Sequence, residues 1–161
     1  MPILTTDMKL FKTTNNLGGV ITATQLVSAS LGALFANITG AEATSGVVKY
    51  ACVYIRNKNA TLTLTAVKQW LLSNTPSGDT EAKFGIGTSA KNGTEQTIAN
   101  ELTAPAGVSF LLAINEAGAI AFPDLDADDF QALWIELTVS PGAAATALDN
   151  FIIRNKGDSP A

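Results

Sequence analysis

The stretch from Val47 to Ala66 constrains this chain more than any other. Val47-Val-Lys-Tyr-Ala-Cys-Val-Tyr-Ile-Arg56 is crowded with Val, Ile and Tyr, side chains that suit a pleated, largely buried surface. Ala60 to Ala66 then alternates strictly, with Leu62 and Leu64 on one side and Thr61, Thr63 and Thr65 on the other. That is the period of a strand with one buried face. Asn57-Lys58-Asn59 lies between, and Asn tolerates positive φ. The pattern predicts a β-hairpin with arms 47–56 and 60–72. Lys68 falls on the same parity as Leu62, Leu64, Ala66, Trp70 and Leu72, so either a bulge shifts the register or Lys68 lies at the sheet margin.

Further short strands follow from the same reasoning at residues 8–12, 20–24, 81–87, 94–98, 108–112, 130–139 and 148–154. Turn signals separate them, including Asn74 to Asp79 and the strong Asn92-Gly93 pair. Ala82, Phe84 and Ile86 face inward on one strand, which puts Gly85 and Gly87 on the opposite face, where something packs close to the backbone. Leu133, Ile135, Leu137 and Val139 share one face of another strand, with Phe130 and Trp134 on the other. A strand apolar on both faces is central in its sheet or covered by a partner. Helical spacing occurs once, at Leu31, Leu34, Phe35 and Ile38. The expected fold is all-β, an antiparallel β-sandwich or jelly roll with one short helix near residues 29–37. It forms a single domain over residues 1–161, with short arms at 1–16 and 155–161.

The chemistry available is narrow. The chain has no histidine and one cysteine, Cys52. Serine–histidine and cysteine–histidine nucleophiles, Cys/His zinc sites and an internal disulfide are therefore excluded. Cys52 sits among apolar neighbours and reads as a small buried hydrophobe. Most carboxylates lie in turns; Glu136, in an apolar strand, reads as a sheet-face or interface charge. The acidic loop Asp124-Leu-Asp126-Ala-Asp128-Asp129 raises the question of calcium. The sixth place of the EF-hand pattern holds Asp129 instead of glycine, and the twelfth holds Ile135 instead of an acid. A solvated loop or a contact with a basic neighbour is the better reading. Tyr50, Tyr54, Trp70 and Trp134 sit on strands, in the core or, on an exposed face, as platforms for sugar rings. No catalytic residue, metal or cofactor is expected, and the chain does not read as an enzyme.

Ten basic and fourteen acidic residues give a net charge of -4, which argues against duplex nucleic acid and against an anionic membrane surface as partners. No run of apolar residues is long enough to span a bilayer, and the first residues lack the order of a signal peptide. The expectation is therefore synthesis and retention in the cytoplasm, or release by lysis. Only 15% of residues are charged, so much of the surface is Thr, Ser, Asn, Gly and Ala. Such a surface is poorly protected against association. It fits a protein covered in part by other subunits; a monomer with a neutral surface remains the alternative.

Several stretches carry a likeness: Thr39-Gly-Ala-Glu-Ala43, Gly46, Lys49-Tyr-Ala-Cys-Val-Tyr-Ile-Arg-Asn57 and Ala60-Thr-Leu-Thr-Leu64. Ala132-Leu-Trp-Ile-Glu136 and Pro141-Gly-Ala-Ala-Ala145 belong with them. This set resembles small virion structural proteins of tailed bacteriophages. The resemblance implies a β-rich virion component, assembled in the host cytoplasm, that acts by contact. Foremost is a capsid decoration (cement) protein bound to the major capsid protein; a tail or connector protein comes next, and a carbohydrate- or receptor-binding sandwich is the competing class. A homo-oligomer is expected, and a trimer at capsid three-fold positions would suit the symmetry. The expected contact residues are Met8, Leu10, Phe11, Phe130, Trp134, Glu136, Asp126 and Asp128, with the two terminal arms reaching onto neighbours.

Overall fold

The computed structural model describes residues 6–26, 31–75, 77–144 and 150–159. Its strands in chain order are β1 (Met8–Thr13), β2 (Gly18–Gly19), β3 (Ile21–Gln25), β4 (Val47–Asn57), β5 (Thr65–Ser73), β6 (Thr80–Ile86), β7 (Glu95–Thr97), β8 (Ile120–Ala121), β9 (Phe130–Val139) and β10 (Ile152–Asp158). They build a five-stranded antiparallel sheet in the order β3-β1-β4-β9-β6, a three-stranded sheet β10-β5-β8 and a small β2-β7 pair. The chain is 46% strand with antiparallel sheets packed together, so the all-β sandwich expectation holds.

The long pair β4 and β9 forms the middle of the large sheet, in unbroken register from Val47 opposite Val139 to Arg56 opposite Phe130. One face of this pair, with Ala51, Val53, Ile55, Leu133, Ile135 and Leu137, packs on the three-stranded sheet through Val67, Leu71 and Ile120. The other face presents Cys52, Tyr54, Ala132 and Trp134, covered by Leu17, Ile21, Ile98, Val108 and Phe110. β9 is thus buried on both faces, as its sequence predicted, and the cover on the second face comes from this chain's own residues. Gly85 and Gly87 allow that cover to approach. A Cβ at Gly85 would come within 2.5 Å of Val108 Cγ1 and 2.8 Å of the Ser109 carbonyl oxygen, and one at Gly87 would land on the Glu95 carboxylate.

The predicted hairpin is not a hairpin. β4 pairs with β1 and β9, whereas β5 pairs with β10 and β8 in the opposite sheet. Residues 57–64 form an arch from one sheet to the other. Side chains do there what a hairpin's backbone ladder would have done. The fully buried Asn57 amide donates to the carbonyls of Leu62 (2.8 Å), Leu125 (2.9 Å) and Asp126 (3.1 Å). Its oxygen accepts the Asn59 N–H at 2.9 Å, and Asn59 Oδ1 in turn accepts the N–H groups of Thr61 and Leu62. Buried backbone groups must be satisfied, and these amides satisfy them where no strand can. Period-two alternation is common to both arrangements, so the pattern alone did not distinguish them.

Past the arch, Ala66 takes φ of 50°, and the inward parity changes there. Leu64 is buried before it; Val67, Gln69 and Leu71 are buried after it. The pairing with β10 shifts register at the same place, between Lys156 and Asp158. Of the two alternatives left open for Lys68, the bulge is the one found, and it leaves Lys68 half-buried on the outer parity.

Other expectations need correction. The short helix is α1 (Gly40–Ser45), not residues 29–37. Leu31–Ala33 is a single 3-10 turn, and residues 27–30 lie outside those described. The signal for α1 was present in the sequence: Thr39-x-x-Glu42 is a capping box, with Glu42 N–H donating to Thr39 Oγ1 and Thr39 N–H to Glu42 Oε2. Residues 108–112 form no strand, only the bridge of Leu111 to Phe84. The arms are largely absorbed into the sheets. Residues 8–13 are β1 and residues 152–158 are β10, because both carry backbone groups that sheet edges at β4 and β5 pair. Residues 1–5, 145–149, 160 and 161 lie outside those described.

Replacing Asn57 tests the arch. Asn57→Ala takes its partner from the Leu62 carbonyl and the Asn59 N–H, while the Leu125 and Asp126 carbonyls keep the N–H groups of Leu64 and Asp129, and urea titration is expected to show a loss of about 2 kcal/mol. Asn57→Asp is expected to cost more at neutral pH, where a carboxylate would face three carbonyl oxygens. Its deficit shrinks as the pH falls and the carboxyl takes up a proton.

Candidate functional site

Of the eight residues expected at a contact surface, four lie inside the fold. Met8, Leu10 and Phe11 sit on β1, whose neighbours on both sides bury it, and Trp134 is fully buried under the covering layer. They hold this chain together and are not available to a partner. Phe130 is half-buried, edge-to-face with Tyr54 at 5.4 Å between ring centroids. Glu136 is half-buried and reaches Lys83 Nζ at 3.5 Å. Asp126 and Asp128 are exposed.

The acidic loop is neutralised by its own chain. Asp128 takes Arg56 at 2.6 Å and Lys58 at 2.8 Å; Lys91 bridges Asp129 (2.7 Å) and Asp126 (3.4 Å). Thr63 Oγ1 donates to Asp126, and the Ala66 N–H to Asp124. Hydrogen bonds from Lys58 and then Arg56 hold the Asp128 carboxyl below its ordinary range, and Thr63 and Lys91 do the same for Asp126. Among the described residues no group of three or more Cys, Asp or Glu side chains converges as a metal site would require. The sequence reading of a charged contact with a basic neighbour fits this loop, and the neighbour is internal.

Two buried polar clusters lie against the large sheet, one on each face: Lys49 shares the parity of Ala51, Val53 and Ile55, and Glu95 lies against Tyr54 on the other face; the sequence did not mark either. Lys49 is almost wholly buried on β4. Its ammonium reaches Glu101 at 2.8 Å, Glu42 at 3.2 Å and the Ala36 carbonyl at 3.3 Å. The second oxygen of each glutamate accepts a backbone N–H, from Thr39 and from Ala36. The segments 34–46 and 100–103 are thereby clamped to one strand. Hydrogen bonds to Thr39 are the main cause of the lowered Glu42 pKa, with Lys49 adding to it.

Glu95 is the second centre. It is 2% exposed and makes no ion pair among the described residues. The Ser89 N–H donates to Oε2 at 2.9 Å and the Thr88 hydroxyl to Oε1 at 3.0 Å. Burial pushes its pKa up, but hydrogen bonds from Ser89, Thr88 and the Trp134 indole outweigh this and hold it below the ordinary value. The contact with Trp134 is a loose one: its Nε1 and the Ser89 hydroxyl make no close hydrogen bond. Beside them the Tyr54 hydroxyl accepts the Glu95 N–H at 2.9 Å and donates to the Gly19 carbonyl at 2.6 Å. Burial raises the Tyr54 pKa to about 12 and pushes the Cys52 thiol up further still. A thiol so placed is inert, as its apolar setting in the sequence predicted.

Three of the four strand aromatics are withdrawn from the surface, and Tyr50 is half-buried with its ring 5.4 Å from that of Phe110. Tyr54 and Trp134 are fully buried and Trp70 is 9% exposed. The one described concavity, about 370 Å³, is polar and open, lined by Asn74, Thr75, Asp79, Glu81, Thr138 and Ser140 among others. Asp79 and Asn74 there are already engaged by backbone N–H groups of Ala144 and Ala82.

The outer surface shows a feature of another kind. Leu72, Ile152, Leu112 and Ile114 are 42–56% exposed. Ile152 on β10 pairs beside Ser73 on β5, and the Leu71 N–H donates to the Ala113 carbonyl at 2.7 Å. These contacts bring three segments side by side at one end of the small sheet. Leu71 and Ala113 turn inward there, and the four larger side chains stay outside. Phe110-Leu-Leu-Ala-Ile114 was the available sequence signal, an apolar run without alternation.

No protein-family model matches this chain, and neither a curated protein nor a solved structure is detectably similar to it.

Lys49→Met leaves two glutamates without their cation. Chemical denaturation is expected to register about 2 kcal/mol, below the cost of a wholly buried pair because both carboxylates reach water. Gly87→Ala forces a methyl group onto the Glu95 carboxylate and to 2.5 Å from the Ala132 Cβ. Thermal melting should show a loss of about 2 kcal/mol or more.

Proposed function

We propose that this chain is a virion structural protein of a tailed bacteriophage, a capsid decoration protein that strengthens the assembled head by contact. The observation that carries this reading is the apolar strip of Leu72, Ile152, Leu112 and Ile114. Large exposed apolar side chains gathered on adjacent segments mark surfaces that meet protein. Low charge over the rest of the surface and the sequence likeness point the same way. The buried positions of Tyr54, Trp70 and Trp134 weigh against a glycan-binding role. The ions and polar groups brought together in the fold tie its own segments to each other.

A decoration protein acts through mass action. It binds the closed shell and not the free subunit, and so adds its binding free energy to the shell's stability. An excess of about a hundredfold over Kd is worth about 2.7 kcal/mol per site. Side-chain burial at the strip would supply the affinity, and no chemical step is involved.

The test uses purified protein and heads of the encoding phage assembled without it. Co-sedimentation at fixed stoichiometry, with a raised disassembly temperature of the heads, is the expected result. Leu112→Asp with Ile114→Asp is expected to weaken that binding by about tenfold or more while leaving the melting curve of the free protein in place. Protein that stays in the supernatant overturns the head assignment, and binding to tails in its place would make this a tail or connector component.

A further inference from the structure

We propose that the outer face of the small sheet receives a carboxylate-bearing segment of a partner protein, and that Glu116 holds that carboxylate's place in the free chain. The proposal rests on the reading of the apolar strip as a contact surface, and it names the chemistry of what meets that surface.

Alternation settles which side chains form this face. Val67, Gln69 and Leu71 of β5 are buried in the core, so Lys68, Trp70 and Leu72 point the other way. On β10, Lys156 stands opposite Lys68 and Arg154 opposite Trp70. Both are exposed, whereas the Cβ position of Gly157 faces Leu64 and Met8 of the core. Leu72 and Ile152 continue the same face into the apolar strip. One surface thus carries three cations beside large apolar side chains.

Like charges directly opposite on neighbouring strands repel, and Lys68 and Lys156 are such a pair. Glu116 relieves it. Its carboxylate reaches Lys156 Nζ at 2.6 Å. Hydrogen bonding from Lys156, with the Lys68 charge adding to it, holds the Glu116 carboxyl below its ordinary range. Glu116 belongs to neither strand. It sits in the turn between Ala113, whose carbonyl accepts the Leu71 N–H, and β8, which pairs with Lys68 and Gln69. Both ends of that turn lie on the side of β5 away from β10. To reach Lys156 the turn crosses the outer face of β5. The crossing accounts for Trp70, which points outward and is nevertheless nearly buried.

The crossing is loosely held. Its ion pair is half-exposed at both ends, and such pairs contribute little to stability. A carboxylate from another molecule can therefore replace Glu116 at small cost. The side chains of Lys68 and Arg154 make no hydrogen bond or ion pair among the described residues. The other acid near this face is Asp158, beside Thr65 at the far end. The balance is positive on a chain whose net charge is -4, which fits an acidic partner. Nucleic acid would call for a denser basic patch, and apolar side chains next to the cations suit protein.

Heads of the encoding phage assembled without the protein give the first readout. Binding of the natural chain should weaken about tenfold from about 0.05 M to about 0.3 M salt. Lys68→Gln with Arg154→Gln should weaken it about tenfold, and Glu116→Gln should strengthen it about threefold. A merely structural ion pair gives Glu116→Gln no gain. Melting curves of the free variants should coincide with that of the natural chain. If the natural chain binds heads but Glu116→Gln binds no better, or the double variant binds as well, this inference is overturned and the decoration reading stands. If heads are not bound at all, the decoration reading falls and poly-L-glutamate decides this one. Trp134 is fully buried, so a change in tryptophan emission reports Trp70. Polyglutamate should shift the emission of Glu116→Gln at about threefold lower concentration than that of the natural chain, and leave the double variant unmoved. Emission that does not respond to polyglutamate, or responds as strongly to single-stranded oligothymidylate, overturns the inference.

Discussion

Two strands that are apolar on both faces govern this structure. β4 and β9 place Val, Ile and Leu on one side and Cys, Tyr, Ala and Trp on the other. Each buried aliphatic or aromatic side chain is worth about 1.5–3 kcal/mol against exposure, so both faces must be covered. The three-stranded sheet covers one, and an irregular layer made of residues 87–110 with the turn around Leu17 covers the other. The molecule therefore has three layers where a simple sandwich has two, and the Glu95 cluster lies where the irregular layer meets the sheet.

An irregular layer cannot satisfy its backbone with a ladder, and it cannot be held by shape alone. That explains why charged and amide side chains are buried here at all. Lys49 gathers the 34–46 and 100–103 segments onto β4, Glu95 gathers the 87–97 segment, and Asn57 closes the arch between the sheets. Each is fully or almost fully engaged within the chain. A role built on surface contact is consistent with that economy, and the apolar strip at the end of the small sheet is where such contact has side chains to work with.

Much of the architecture was legible in residue order. The both-sided strand 130–139 and the glycines that admit a close neighbour were readable and hold, and the out-of-phase Lys68 flagged an irregularity whose form, a bulge instead of a sheet margin, the structure decided. The capping box at Thr39 was equally readable, but helical spacing at Leu31 to Ile38 drew attention to the wrong segment. The contact surface was the least legible. Apolar residues on β1 and β9 looked like interface candidates because a strand pattern does not say whether its cover comes from the same chain or another. Met8, Leu10, Phe11 and Trp134 turned out to be covered from within.

The sequence by itself determined the alternation of its strands, hence an all-β fold with an inert thiol and no imidazole chemistry. These follow from local sterics, side-chain period and composition, which do not depend on distant contacts. Only the tertiary structure decided that β4 and β5 belong to opposite sheets, that the second face of β9 is covered by residues 87–110, and that Glu95 and Lys49 are buried. Those outcomes depend on which strand edge and which apolar face each segment meets. That choice is made by long-range packing, where residues decades apart in sequence compete for the same surface.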